Sequence, residues 1–377
     1  MDKLAFVFGH VPDPRMYRRI MALKDSYQVY VVCVRRINQN VFIQKDIPGV
    51  TQIVKDMELP TLSQLFQRMK ASRKYRKYIL DSLSSIQPSI IYAEGMDTLM
   101  AVNKYASNHK VKVIVEVADL RECFIEDMPK SPIRRMIDSI ICYKEKKLFK
   151  CVDLLVLTSM KFFDVHYKKF YSKEKVFFLP NMPELNAFNS FVRKENKDAF
   201  TVGFIGGLRY LRQMYLLVDA ASVAGVNVII AGAVAESADA FMNYCKDKKY
   251  VKFIGRYNYD NDIARLYGMM DCIFSVYDAD NANVRIALPN KLYESVYCGL
   301  PIIVAKKTYL SELVEEWGVG VAVSHTDKND LANILAKLRD DTDYYNSIVS
   351  NCDRKRNEID INIYLNKLVE KIQTLDN

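Results

Sequence analysis

No run of about 18 or more uninterrupted apolar residues occurs in this sequence, so it offers no helix able to cross a bilayer. The eight cysteines contain no Cys-x-x-Cys pair, and the four histidines (His10, His109, His166, His325) are scattered. No His/Cys/Asp grouping has metal-ligand spacing, so no metal site is expected. Cys33, Cys123, Cys142, Cys151, Cys245, Cys272, Cys298 and Cys352 read as reduced, mostly core residues of a cytoplasmic protein. A Gly-x-Gly-x-x-Gly after an apolar run is also missing, which counts against a Rossmann dehydrogenase. The N-terminus has neither a basic start nor a small-residue cleavage site. Residues 4–8 therefore read as a buried strand and not as a secretory signal. Low-complexity segments and short repeats are absent as well.

What is present is ordinary globular composition. The chain is 50% hydrophobic and 26% charged over 377 residues, enough for two domains. Its charge is unevenly shared. Residues 1–190 carry 31 Lys+Arg against 20 Asp+Glu, and the remainder 23 against 25. A basic first half points to an acidic partner there: anionic lipid, a phosphate-bearing acceptor or nucleic acid.

Short β-branched and aromatic runs alternate with segments of helical spacing. In the first half the runs are 4–8, 28–34, 90–93, 112–117, 154–158 and 175–179, with helical spacing at 14–24 and 98–107. In the second half they are 201–205, 227–231, 251–254, 272–276, 301–305 and 320–323. Such alternation predicts parallel sheets covered on both faces, and two series predict two doubly wound domains. The polar stretch 183–197 marks the boundary. The expected division is 1–185, 198–350 and a helical segment 351–377 that packs back on the first domain. Ligands of open parallel sheets sit beyond the carboxyl ends of the strands, so the loops after strands matter most.

Four places could carry chemistry. Gly206-Gly207-Leu208 follows the run 201–205 and precedes a helix, where glycines let backbone approach a phosphate. Arg209 and Arg212 add guanidiniums; the plain alternative is a tight turn with surface arginines. Pro289-Asn290-Lys291-Leu292-Tyr293-Glu294 reads as a helix start with open amides. Glu294, one turn in, can accept from a ribose diol or simply serve as a first-turn acidic residue. In the first half, His10 and the Asp119-Leu120-Arg121-Glu122 loop also end strands, and His10, Asp119 and Glu122 are titratable candidates. Last, residues 62–83 combine an apolar stripe (Leu62, Phe66, Met69, Ile79, Leu80, Leu83) with a basic face (Arg68, Lys70, Arg73, Lys74, Arg76, Lys77). A second basic group is Arg134, Arg135, Lys144, Lys146, Lys147 and Lys150. Basic amphipathic helices suit an anionic membrane surface, and a solvated helix face is the alternative. Nucleic acid is not expected, because aromatic and basic residues are not interleaved as a stacking platform.

These residues resemble those of the retaining glycosyltransferases of family 4, the group 1 type, over most of the chain. Gly203 to Ala221, GFIGGLRYLRQMYLLVDAA, resembles the family's Gly-Arg-Leu loop and following helix, with Arg212 at the position of the diphosphate-binding lysine. Residues 251–257, with Arg256 among them, resemble the base-binding turn. Residues 289–304, PNKLYESVYCGLPIIV, are similar to the most specific motif, with Glu294 at its ribose-binding glutamate. Residues 152–159, 176–181 and 9–15 resemble first-half landmarks. The pattern departs where Ile286 stands for a first glutamate, and where Gly207 stands for the arginine of the loop.

The resemblance implies an α/β fold of GT-B type: two doubly wound Rossmann-like domains with an interdomain cleft. It implies sugar transfer from a nucleotide sugar, a UDP- or GDP-sugar, to an acceptor hydroxyl with retention, in bacterial surface polysaccharide synthesis. The enzyme would be hexosyltransferase-like and metal-independent, with no cofactor beyond the donor. Gly206, Gly207, Arg209, Arg212, Arg256, Asn290, Lys291, Leu292 and Glu294 would bind the donor. His10 and Asp119 would be the catalytic polar contacts beside a glycan or lipid-linked acceptor. The expected location is cytoplasmic, peripheral on the inner face of the plasma membrane through the basic face. A nucleotide-sugar epimerase and a non-catalytic nucleotide-sugar-binding subunit are the alternatives.

Overall fold

A computed structural model describes residues 1–37, 45–58, 60, 65–121, 132–195, 199–233 and 238–376. Leu62, Glu122, Cys123 and the side chain of Arg134 lie outside the described residues. The chain divides into two units, one of residues 1–180 with 362–377 and one of residues 181–361.

The first unit is built on seven parallel strands: β1 (Lys3–Val7), β2 (Gln28–Arg36), β3 (Thr51–Met57), β4 (Ile90–Glu94), β5 (Lys112–Val117), β6 (Leu154–Leu157) and β7 (Val176–Phe178). Their order is β3-β2-β1-β4-β5-β6-β7. The central strands are buried on both faces, which is why they read as unbroken apolar runs. Helices α1 (Pro14–Leu23), α2 (Leu65–Ile86), α3 (Met96–Ala106), α4 (Pro132–Leu148) and α5 (Lys161–Val165) connect them. Helix α1 starts where it does because Asp13 accepts from the Met16 amide at 2.8 Å and Pro14 opens the first turn. Strand β3 did not announce itself in the sequence. It is an edge strand, exposed or half-buried throughout, and its polar residues break the apolar run.

The second unit carries β8 (Thr201–Ile205), β9 (Asn227–Ala231), β10 (Val251–Gly255), β11 (Cys272–Ser275), β12 (Ile302–Ala305) and β13 (Gly320–Val323), all parallel, in the order β10-β9-β8-β11-β12-β13. Its helices are α6 (Leu211–Ala224), α7 (Asp239–Cys245), α8 (Tyr259–Tyr267), α9 (Ala282–Ile286), α10 (Asn290–Cys298), α11 (Tyr309–Trp317), α12 (Lys328–Asp340) and α13 (Thr342–Lys355). Helix α14 (Ile361–Asp376) then belongs almost wholly to the first unit, where Tyr364 meets Phe178 edge to face.

The division expected at 351 falls inside α13. That helix stays with the second unit, because Cys352 is buried and Asn351 donates to the Gly318 carbonyl at 2.8 Å. The seven described cysteines are all free.

Candidate functional site

In each sheet the strand order reverses once, between β1 and β4 and between β8 and β11. Open α/β sheets bind ligands beyond the strand ends at such a reversal.

In the second unit, Gly206 (φ +136) and Gly207 follow β8. The loop lies tight against the end of β9: a Cβ at Gly232 would stand 1.9 Å from the Gly206 carbonyl oxygen. Lys291, in the first turn of α10, comes to the same loop. Its Nζ lies 3.1 Å from where a Gly206 Cβ would be, and 5.8 Å from the Tyr277 ring centroid. No carboxylate reaches ion-pair distance of Lys291 among the described residues. Burial works against the ammonium, but Tyr277 and Glu294 outweigh it and leave its pKa raised. A part-buried positive charge therefore lies beside the loop, whose Gly206 amide donates to the Ala231 carbonyl at 2.8 Å and whose Gly207 is exposed. Arg209 is exposed beside Gly207, Arg212 is exposed in the first turn of α6, and Arg256 is exposed in the turn after β10.

Glu294 is buried at 2% exposure, and both its oxygens are engaged. Oε1 accepts from the Tyr259 hydroxyl at 2.7 Å and from Asn290 Nδ2 at 3.4 Å, and Oε2 accepts from the Tyr267 hydroxyl at 2.6 Å. Burial, and then the Glu294 charge, push the Tyr267 phenol well above its ordinary pKa, so it remains a donor. Glu294 is thus not an open carboxylate here, since tyrosine hydroxyls donate to both of its oxygens. Leu292 is a core residue: its side chain is fully buried and its amide donates to the Pro289 carbonyl at 3.2 Å. Ile286 is buried at the end of α9.

The sequence showed no metal-ligand spacing, yet folding gathers Asp278, Asp280 and His325, with ligand atoms within 4.8 Å of one another. The aspartates follow β11 and the histidine follows β13, 45 or more positions away, so spacing could not reveal them.

In the first unit, His10 follows β1 and meets Glu94 at the end of β4. His10 Nδ1 lies 2.7 Å from the Val11 carbonyl and so must donate to it, leaving Nε2 3.4 Å from Glu94 Oε2. Burial disfavours the imidazolium, but the Glu94 bond and the Val11 carbonyl overcome this and raise the His10 pKa. Behind them lies an ionic network. Arg15 bonds Glu94 at 2.7 Å and Glu116 at 2.9 Å, Arg19 reaches Glu116 at 3.4 Å, and Tyr92 donates to Glu116 Oε2. Burial opposes the Glu94 charge, yet His10 and Arg15 hold its carboxyl down at about 2.

A cavity of about 340 Å³ opens beside His10, lined also by Arg36, Tyr75, Asp97 and Arg121. A smaller one of about 190 Å³ is lined by Asp119, Glu116 and Glu145, and both share Glu94 and Arg121. Asp119 itself is exposed, and it lines a different cavity from His10.

Sequence reading missed Glu94, Glu116, Arg15 and Arg19. The available signal was a carboxylate inside or at the end of an apolar run, IIYAE and KVIVEV, which needs a partner when buried. The stripe predicted over 62–83 splits: Ile79 and Leu83 are core, whereas Phe66 and Met69 are exposed.

Residues 186–355 match the family model described as glycosyl transferases group 1. Over 356 residues the chain is 21% identical to the succinoglycan biosynthesis protein ExoL of Rhizobium meliloti (strain 1021), covering 90% of this chain and 85% of that one. It is similar in structure to sucrose-phosphate synthase from Thermosynechococcus elongatus, with TM-score 0.73 at 13% identity over 100% of this chain and 99% of that one. HepE of Anabaena, solved in complex with UDP and glucose, aligns with TM-score 0.71 at 16% identity over 99% of this chain and 100% of that one. At such identities the structures establish the fold, which is GT-B as the resemblance implied.

Proposed function

We propose that this chain, which carries a group 1 glycosyl transferase domain over residues 186–355, moves a sugar from a nucleoside diphosphate sugar to an acceptor hydroxyl with retention. The observation that carries this reading is the Lys291 ammonium, held against the Gly206 loop without a carboxylate partner among the described residues. A cation placed in this way suits the charge that builds on a departing diphosphate. Arg209 and Arg212 add exposed positive charge in and just after this loop, whose Gly207 backbone is exposed. The positive charge comes from side chains, with no metal required. The anomeric bond to the diphosphate breaks, a bond to the acceptor oxygen forms, and the acceptor proton leaves with the diphosphate.

The ribose diol exchanges for the half-buried Tyr259 hydroxyl on Glu294, while buried Tyr267 stays in place. A carboxylate has lone pairs enough for both. Arg256 and its turn take the base. UDP is the expected nucleotide, a reading supported by the UDP bound in the HepE structure. In the first unit, His10 and Asp119 contact a sugar acceptor, glycan or lipid-linked. Assembly of a bacterial surface polysaccharide is supported by the likeness to a succinoglycan biosynthesis protein.

The test is Lys291→Met. Calorimetric titration with UDP and turnover with UDP-sugars should both fall about a hundredfold. Unchanged UDP affinity overturns the assignment. Tight UDP-sugar binding with no UDP release, across a panel of acceptors, turns the reading to a non-catalytic binding subunit.

A further inference from the structure

Helix α4 is inverted relative to an ordinary surface helix. Its two acidic residues, Asp138 and Glu145, face inward and are buried. Outward stand Ile133, Met136, Ile137, Ile140 and Tyr143, each between 45% and 69% exposed. Spacings of three and four residues place them in one stripe. Among the described residues, five of the thirteen exposed large hydrophobic side chains therefore lie on a single helix.

The exposed charges described on α4, Arg135, Lys144, Lys146 and Lys147, are all positive. The Lys147 ammonium lies 4.7 Å over the Tyr143 ring, so charge and stripe are contiguous. No described helix is long and apolar enough to cross a membrane. An apolar stripe flanked only by cations, on a helix that does not span, matches a surface lying in the headgroup layer of an anionic bilayer. A typical protein interface would mix both signs of charge at its rim.

We propose that the outward face of α4 is a membrane-docking surface, with the stripe of residues 133–143 in the acyl boundary and its flanking cations on lipid phosphates. This surface goes beyond the transfer reaction and does not depend on it.

The experiment is flotation of the full chain, without donor or acceptor, on vesicles of phosphatidylcholine with or without phosphatidylglycerol. The expected result is co-flotation with phosphatidylglycerol vesicles alone, reversed by high salt. Ile137→Glu, and separately Lys144→Glu with Lys147→Glu, should lower the bound fraction at least about tenfold. These positions are exposed, so circular dichroism and the melting temperature should stay as in the parent. UDP titration of the same preparations separates the two readings, because lost flotation with retained UDP binding concerns docking alone. No flotation at low salt, or equal flotation on pure phosphatidylcholine, overturns the proposal. So does a dimer that Ile137→Glu converts to monomers without any vesicle binding, since a second copy then covers the face.

Discussion

The two units share one strand order and bury opposite electrostatics at its reversal. In the first unit, the Arg15 and Arg19 charges are answered by Glu94 and Glu116, and Arg15 sits within 2.9 Å of both carboxylates. In the second, Glu294 is held by uncharged tyrosine hydroxyls, and the Lys291 charge stands without a carboxylate partner among the described residues. A neutralised interior asks for no ionic guest and suits a sugar hydroxyl. An ammonium without a carboxylate beside a glycine loop suits an anion. Architecture thus says where a ligand goes, and the local charge balance says which ligand.

The largest test of this contrast is Glu116→Ala. Removing that carboxylate strands buried arginine charge and should cost the first unit about 3–5 kcal/mol in denaturant unfolding. A cost under about 1 kcal/mol would show that the network is not what holds the strand ends together. Next is Tyr267→Phe, which takes a buried donor from Glu294 and should cost the second unit about 1.5–3 kcal/mol. Tyr259→Phe, at a half-buried position, should cost less; equal losses would erase the distinction drawn between the two tyrosines.

The smallest effect is one of pH. Glu94, ordinarily near 4.5, is held at about 2, so its contribution is present above its ordinary value and is lost as pH falls toward 2. His10 runs the other way. Its contribution is present below its ordinary 6.5 and is lost as pH rises through its raised value. Because both side chains are partly exposed, the acid-side fall should amount to about 1–2 kcal/mol. Melting temperatures across pH should show this fall in the parent chain and not in Glu94→Gln.

Much of the fold was legible because buried parallel strands must be apolar on both faces, and twelve such runs stood out between helical segments. Strand β3 escaped because an edge strand is free of that demand. The glycine loop after β8 and the helix start at Pro289 were legible from local backbone chemistry. Partnership was not. Glu94 and Arg15 stand 79 positions apart, and Glu294 and Tyr259 stand 35 apart. In the sequence, Tyr259 and Tyr267 look like any aromatic core residues. Only the fold shows that their hydroxyls converge on one carboxylate.

Gly232 offers a practical gauge of the glycine loop after β8. What its missing Cβ would strike is backbone, the Gly206 carbonyl at 1.9 Å, and its own φ is +153. A side chain can swing aside, but a peptide group can yield only by moving the loop that carries it. Replacement at this silent position would therefore displace the Gly206 loop while leaving every proposed ligand residue intact. In a screen of sequence variants, the identity at 232 would report on site geometry, whereas the identity at 291 would report on site charge.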